Sequence, residues 1–411
     1  MTDKPLSDIT ILDLTWVLSG PYASMVLCDL GAEVIKIERP PFGDVSRTNG
    51  PYQNGWSGYF FSINRGKRSV SIDLRTQEGK EIFLDLASGV DVLVENFTPG
   101  TMDRLGIGYS TLAKNNSGLI FASISGFGQT GPYKSRPALD VIVQAMGGVL
   151  SITGEPDGPP VRPGISYGDI SAGLFAVIGI LSALHERERS GLGQALDISM
   201  LDCQISVMEN AIMRYGVTGE PPKPLGTRHP TATPFQAFST ADKPIVIALG
   251  FQADEQWALL CGLLGLTDLI DDTRFNTGPK RTRNHAILEP LLIKAFQSKT
   301  ALVWLRELEA VGIPCGPVNS IPEVLQDPQI QHRKMIQEVT HPVAGTIPIA
   351  NTPFRYSRSH TGISGPPPSF GADTEEILRK RLGLSESKIE HLKENAIIST
   401  TGDPDVESLL T

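Results

Sequence analysis

One carboxylate sits where the chain leaves room around it. The run Gly164-Ile165-Ser166-Tyr167-Gly168-Asp169-Ile170-Ser171-Ala172-Gly173 places Asp169 just ahead of an apolar stretch, Ile170–Leu184, that predicts a helix. Two readings stand side by side. Aspartate is a favoured N-cap, and a cap alone accounts for it. The other reading is a nucleophile. Gly168, Ser171, Ala172 and Gly173 leave open space beside the carboxylate, and N–H groups at a helix start favour its ionised form. The preceding loop (Gly154, Gly158, Pro159, Pro160, Pro163, Gly164) suits the wall of a ligand site better than a packed core. The ionised form is the form a nucleophile needs.

Other constellations lack their context. Gly126, Gly128 and Gly131 form a GxGxxG after a strand, but Pro132 and Pro137 follow and no helical period starts until after Leu139. That predicts a tight loop and not a dinucleotide site, which needs a helix opening on the glycines. There is no HExxH and no P-loop, and the seven histidines are isolated. Cys28, Cys203, Cys261 and Cys315 lie far apart without metal-ligand spacing, so neither a metal site nor a disulfide framework is expected.

The elements that must position Asp169 read as alternating strands and helices. Strands are expected at Ile9–Leu14, Glu33–Glu38, Ser69–Leu74, Asp91–Val94 and Leu119–Ser123. Helices are expected over Tyr22–Leu30, opened by Gly20-Pro21, and over Glu78–Ala87, capped by Thr76. This rhythm argues for a parallel sheet covered on both faces. The run Gly219–Gly226 reads as a linker. Beyond it, Phe235–Phe238 and Ile245–Leu249 predict an antiparallel pair, followed by helices at Asp254–Leu264, Asn284–Phe296 and Ala301–Val311, a second α/β unit. Thr374–Leu382 and Ser385–Leu392 predict a helical pair near the end, and Ser399–Thr411 lacks periodicity. The expected division is a large domain over 1–220, a small domain over 221–330 and a return to the large domain over 331–411.

Composition bounds the partners. With 40% hydrophobic and 20% charged residues the chain can bury a core and is not disordered. Its 36 basic and 45 acidic side chains give a net charge of −9, which argues against nucleic acid or an anionic membrane as the main partner. Ile170–Leu184 is shorter than the roughly 20 apolar residues of a membrane span, so it reads as a core helix. Met1–Pro5 carries no apolar signal, and a cytoplasmic location is the expectation.

Taken in order, several strings resemble the class III CoA-transferases, the formyl-CoA and carnitine CoA-transferase family. They are Asp13-Leu14-Thr15-Trp16-Val17-Leu18-Ser19-Gly20-Pro21, Asp29-Leu30-Gly31-Ala32-Glu33-Val34-Ile35-Lys36-Ile37-Glu38, Gly43-Asp44 with Arg47, and Asn64-Arg65-Gly66-Lys67-Arg68-Ser69. Val94-Glu95-Asn96-Phe97, Arg104-Leu105-Gly106, Ser125-Gly126-Phe127-Gly128, Asp140 with Gln144-Ala145, Gly168-Asp169, Gly312-Ile313-Pro314 and Pro317-Val318 continue the match over residues 6 to 395.

The resemblance implies a Rossmann-like large domain with an inserted smaller α/β domain, in an interlocked homodimer. A hetero-oligomer with a related subunit stays open. It implies that Asp169 is the nucleophile that carries CoA from an acyl-CoA donor to a carboxylic acid through a covalent aspartyl intermediate, with N–H groups near the Asp169 turn holding the oxyanions. Coenzyme A thioester is then a substrate, and no tightly bound cofactor is expected. By position, the resemblance assigns the nucleotide and pantetheine contacts to Leu18, Ser19, Arg39, Ile72, Asp73, Leu74, Arg75, Asn96, Phe97, Thr98, Arg104, Pro137, Ala138, Leu139 and Asp140.

Small dicarboxylates exchanged against succinyl-CoA are preferred as substrates, since such acids need a guanidinium clamp, for which Arg47, Arg136 and Arg228 are candidates. Leu249-Gly250-Phe251-Gln252 has one glycine where some formyl-CoA transferases carry a glycine run, which argues against formyl-CoA. Two alternatives remain. One is a 2-methylacyl-CoA racemase or epimerase of the same fold, for which Leu139 stands where a proton-shuttling histidine is needed. The other is a CoA-binding subunit without catalysis.

Overall fold

The computed structural model describes residues 4–250, 253–400 and 402. Phe251, Gln252 and most of the terminal run 399–411 lie outside the described residues, so the expectations for the single-glycine loop and for the end of the chain cannot be placed in the fold.

The chain divides into two units. The larger comprises Met1–Val149, Arg162–Gly216 and Gln329–Thr411; the smaller comprises Leu150–Val161 and Val217–Pro328. Leu150–Val161 was expected in the large domain, but it groups with the small unit. There Gly226 N–H reaches back to the Gly154 carbonyl at 2.8 Å.

The larger unit is built on a seven-stranded sheet in the order Ile398–Ser399, Arg68–Ile72, Glu33–Glu38, Thr10–Asp13, Val92–Glu95, Ile120–Ser125, Ala195–Ser199. All pairings are parallel except that of Ile398–Ser399, which runs antiparallel along one edge. The strands are β-branched, and alternate residues feed opposite faces. Ile11, Val34, Val92 and Ile120 meet Ala23, Leu27, Ala172 and Ile180 on one side. Leu12, Ile35, Val70 and Leu93 meet Phe83, Leu86, Ile389 and Leu392 on the other.

Thr10–Asp13 pairs with Glu33–Glu38 on one side and Val92–Glu95 on the other, so the strand order reverses there. In a parallel sheet this is where the loops after two adjacent strands part and leave a crevice. Those loops are Leu14–Leu18, which leads into the helix Ser19–Asp29, and 96–100.

The helix predicted from Ile170 begins three residues earlier and runs Tyr167–Ser190. By length and composition it could cross a membrane, but half of its most apolar window is buried within the fold. It lies against Ser19–Asp29 with Gly173 at the contact. A Cβ there would come within 2.8 Å of the Ser19 carbonyl oxygen, so only glycine lets the two helices approach this closely.

Thr76 caps Gln77–Ala87 as expected, its side chain accepting from Gly79 N–H at 3.0 Å. The glycine-rich stretch 126–139 is a loop, and the next helix, Asp140–Met146, begins after it. Sequence reading missed the edge strand Ala195–Ser199, a five-residue segment with Ile198 and Ser199 buried and Ala195 and Asp197 exposed. It also missed the hairpin Ile336–His341 with Gly345–Ala350.

The smaller unit holds an antiparallel sheet in the order Cys315–Pro317, Ile245–Ala248, Phe235–Phe238. Helices Asp254–Leu264, His285–Phe296 and Ala301–Ala310 cover it around Trp257, Leu288, Phe296 and Trp304.

Candidate active site

A cleft of about 340 Å³ opens at the strand reversal. Its walls are Trp16–Ser19, Asn96–Pro99, Ile124–Phe127, Lys134, Arg136–Asp140, Asp169 and Met200. Leu18, Ser19, Asn96, Phe97, Thr98, Pro137, Ala138, Leu139 and Asp140 therefore share one space with Asp169, although they come from four separate stretches of chain.

Asp169 is not the helix cap. Ser166 holds that position, and Asp169 is the third residue of the helix. Its first turn also leaves no N–H free for an oxyanion. Asp140 Oδ1 accepts the N–H of Gly168 at 2.9 Å and of Asp169 at 3.4 Å. The expectation that N–H groups of this turn hold oxyanions is thereby corrected.

The electrostatics reverse a second expectation. Burial, and then the neighbouring Asp140 charge, push the Asp169 carboxyl up to about 7; hydrogen bonding from Ser19 and the charge of Arg162 oppose this without cancelling it. The helix start does not hold the acid ionised, because its N–H groups are spent on Asp140. Asp140 in turn accepts from Gln144 Nε2 at 2.7 Å and from Arg162 Nη2 at 2.9 Å.

Tyr59, on the helix Gly58–Asn64, lies close enough to feel this charge. Burial, and then Asp169, Asp44 and Asp140, push its phenol up to about 12, so it remains a donor. Sequence reading missed Tyr59 and Arg162, and named Gln144 only within a family string beside Asp140. The first two lie about a hundred residues away and in a plain loop, and no spacing rule reaches either. The four thiols are no rival nucleophiles: burial pushes Cys28 and Cys203 up to about 11 and Cys261 to about 12, and raises Cys315 as well. Among the described residues no group of three or more His, Cys, Asp or Glu is placed to hold a metal.

A second cavity of about 250 Å³ shares Trp16 and Phe97 with the cleft. These rings meet edge to face, with centroids 5.8 Å apart. It is lined by Leu14, Ile37, Arg39, Ile72, Leu74, Arg75, Thr101 and Leu105, an apolar sleeve with two guanidiniums. Asp73 does not line it. It holds Arg75 by two contacts, Nε to Oδ1 at 2.9 Å and Nη2 to Oδ2 at 2.6 Å. Arg104 does not line it either; it is exposed and bonds Thr101 Oγ1 at 2.7 Å, one turn away on the same helix.

Of the three candidate arginines, only Arg136 lines the cleft, 4.6 Å over the Tyr133 ring. Arg47 is committed to the core, paired with Glu38 at 2.7 Å and stacked on Phe60. Arg228 belongs to the smaller unit.

Comparison with known proteins agrees with this arrangement. Residues 6–374 match the sequence profile of CoA-transferase family III. The chain is 40% identical over 396 residues to the succinyl-CoA:glutarate CoA-transferase of Mus musculus, covering 96% of this chain and 90% of that one. It is 41% identical over 389 residues to the acetyl-CoA:oxalate CoA-transferase of Acetobacter aceti, covering 93% and 97%. A crystal structure of a CAIB/BAIF family protein from Brucella suis superposes with a TM-score of 0.83 at 38% identity, covering 92% of this chain and all of the other. A mixed α/β fold with its cleft at the strand reversal, and similarity along nearly the whole chain, place this protein in CoA-transferase family III.

Proposed function

We propose that Asp169 carries CoA between succinyl-CoA and a short dicarboxylic acid through covalent aspartyl intermediates. The observation that carries this reading is the half-buried carboxylate in a cleft, set among residues from the loops after adjacent parallel strands. The ionised Asp169 oxygen attacks the donor thioester carbon and breaks its C–S bond, giving a mixed anhydride and CoA thiolate. The thiolate attacks the aspartyl carbon of the anhydride, releasing the donor acid as its carboxylate and leaving an aspartyl-CoA thioester. The acceptor carboxylate displaces the thiolate to form a second anhydride. Attack of the thiolate on the acceptor carbon then frees product and Asp169. Every leaving group is a carboxylate or thiolate, so no net proton transfer is needed, but each anhydride is prone to hydrolysis and needs a site that excludes water.

Ser19, which lines the cleft with Asp169, and the Tyr59 phenol supply donors for the oxyanions in place of the helix N–H groups. The apolar sleeve with Arg39 and Arg75 suits the adenosine end of CoA, with Asp73 steering Arg75 and exposed Arg104 reaching a phosphate. Arg136 suits the second carboxylate of the acid. The curated relatives named for glutarate, oxalate and mesaconate support a dicarboxylate. An interlocked pair of chains is supported by the helix Glu209–Thr218, which buries none of its residues in the single chain and exposes Ile212, Met213 and Tyr215.

The racemase alternative lacks a second base. Leu139 is exposed in the cleft and cannot shuttle a proton, and Asp140 is engaged by Gly168, Gln144 and Arg162. Two experiments test the two readings. Enzyme incubated with succinyl-CoA and quenched with hydroxylamine or borohydride should be modified on the Asp169 peptide alone, and label on Asp140 would move the nucleophile there. A 2-methylacyl-CoA incubated in heavy water should gain no α-deuterium; wash-in as fast as transfer would favour the racemase.

A further inference from the structure

Between the strand Thr10–Asp13 and the helix Ser19–Asp29 the chain has no regular structure, yet buried side chains hold its backbone one residue after another. Asp13 Oδ1 accepts Thr15 N–H at 2.9 Å, and Lys36 Nζ donates to the Thr15 carbonyl at 2.7 Å. Asn96 takes Trp16 N–H and donates to the Trp16 carbonyl, both at 2.8 Å. Asp44 Oδ1 accepts Val17 N–H at 3.2 Å.

Val17 has a φ of +65°. For a β-branched residue that is a strained, left-handed conformation, which persists only where its surroundings over-determine it. It occurs in the cleft wall, two residues before Ser19, which shares that cleft with Asp169.

Asp44 is built to impose it. The side chain is buried, its Oδ2 lies 2.9 Å from Lys36 Nζ, and its Oδ1 also takes Ser46 N–H at 2.8 Å. Its own N–H is held by Glu38 Oε2 at 2.9 Å, and Glu38 is fixed by Arg47. Neither Asp44 nor Lys36 lines the cleft.

We infer that Asp44, braced by Lys36, is a positioning residue for the transfer: by holding the Val17 N–H it keeps Val17 left-handed and so keeps Ser19 in the cleft wall it shares with Asp169. Without Asp44, Val17 relaxes to negative φ and Ser19 is displaced from that wall. Glycine at 17 adopts the left-handed conformation without strain and no longer needs the restraint. The inference rests on Asp169 being the transferring group.

The test compares Asp44→Ala, Val17→Gly and the double variant for kcat, KM, the pH dependence of kcat/KM, and Tm, using succinyl-CoA and glutarate. Asp44→Ala should lower kcat about 30- to 100-fold, the scale of a misplaced catalytic group, with KM for succinyl-CoA changed less than about threefold. The acid limb should move to higher pH, because the stabilisation Ser19 gives ionised Asp169 is weakened while Asp140, Arg162 and Tyr59 still act on it. Adding Val17→Gly should restore kcat at least about tenfold over Asp44→Ala alone, and Val17→Gly by itself should not lower Tm. Wild-type kcat in Asp44→Ala overturns the inference. So does a loss that follows Tm and is not rescued by Val17→Gly, since Asp44 would then be structural only. If Asp44→Ala does not fold, Asp44→Asn takes its place: rescue by Val17→Gly supports the inference and absence of rescue overturns it. Asp169→Ala measured in parallel separates the two claims, because residual transfer there would refute the role of Asp169 whatever the Asp44 variants do.

Discussion

Asp169→Asn is expected to abolish CoA transfer, lowering kcat by about 10⁴-fold or more, while making the protein more stable above pH 7. The amide keeps the shape of the side chain but cannot form an acyl intermediate. The stability gain follows from the raised pKa. The carboxyl titrates near 3.8 when solvated and near 7 in the folded cleft, so between those values the unfolded chain has lost a proton that the folded chain retains. Stability therefore falls as pH rises from about 4 to 7, and the penalty is complete above 7. Asparagine removes it, a gain on the order of 4 kcal/mol at pH 8 that vanishes at pH 3.5. Thermal melts at the two pH values, beside a transfer assay, check both halves. The wild-type kcat/KM should rise with pH through about 7 as Asp169 ionises. Turnover by Asp169→Asn within a hundredfold of wild type, or a flat profile between pH 5.5 and 8, would count against the nucleophile.

The largest loss of stability should come from Asp13→Ala. Asp13 is fully buried, and its carboxylate binds Lys67 Nζ at 2.9 Å, Ser24 Oγ at 2.6 Å, Thr15 N–H and the Thr15 hydroxyl. Burial alone would raise its pKa, but Lys67, Lys36 and the two hydroxyls outweigh burial and hold it well below the usual carboxylate range. Burial has already pushed the Lys67 amine down to about 8 despite Asp13. Alanine would leave that amine in the core with only the Pro21 carbonyl and the Asn64 side chain for partners. Removing one member of a buried pair costs about 3–5 kcal/mol, and urea unfolding would measure it; a change below about 1 kcal/mol would mean the pair behaves as an exposed one. Because the folded pKa of Asp13 is depressed, its contribution is present above the ordinary carboxylate value and is lost as pH falls below about 4. Acid unfolding of the wild type should therefore be steeper than that of Asp13→Ala over that range.

Local signals carried much of the architecture. Helix Asp254–Leu264 and the pair Phe235–Phe238 with Ile245–Ala248 lie where periodicity and turn residues put them, because each buries one face of a short segment and that pattern is written in neighbouring residues. Edge strand Ala195–Ser199 escaped because five residues, of which only Ile198 and Ser199 are buried, give a weak local signal, and its place was decided by pairing with Ile120–Ser125, more than seventy residues earlier.

The site divides in the same way. The small residues around Asp169 marked it in the sequence, and the order of motifs pointed to the family. Its protonation, its loss of the helix N–H groups to Asp140, and the nearness of Tyr59 came only with the tertiary structure. Arg47 shows the limit most simply. From the sequence it is an arginine free to clamp an acid, whereas in the fold it pairs with Glu38 under the Phe60 ring. Residue types and their spacing determined which groups this protein has available for chemistry. Which of them are buried together, and so which charges are raised, lowered or cancelled, was decided by the packing of distant segments, because electrostatic energy depends on distance and dielectric in space and not on separation along the chain.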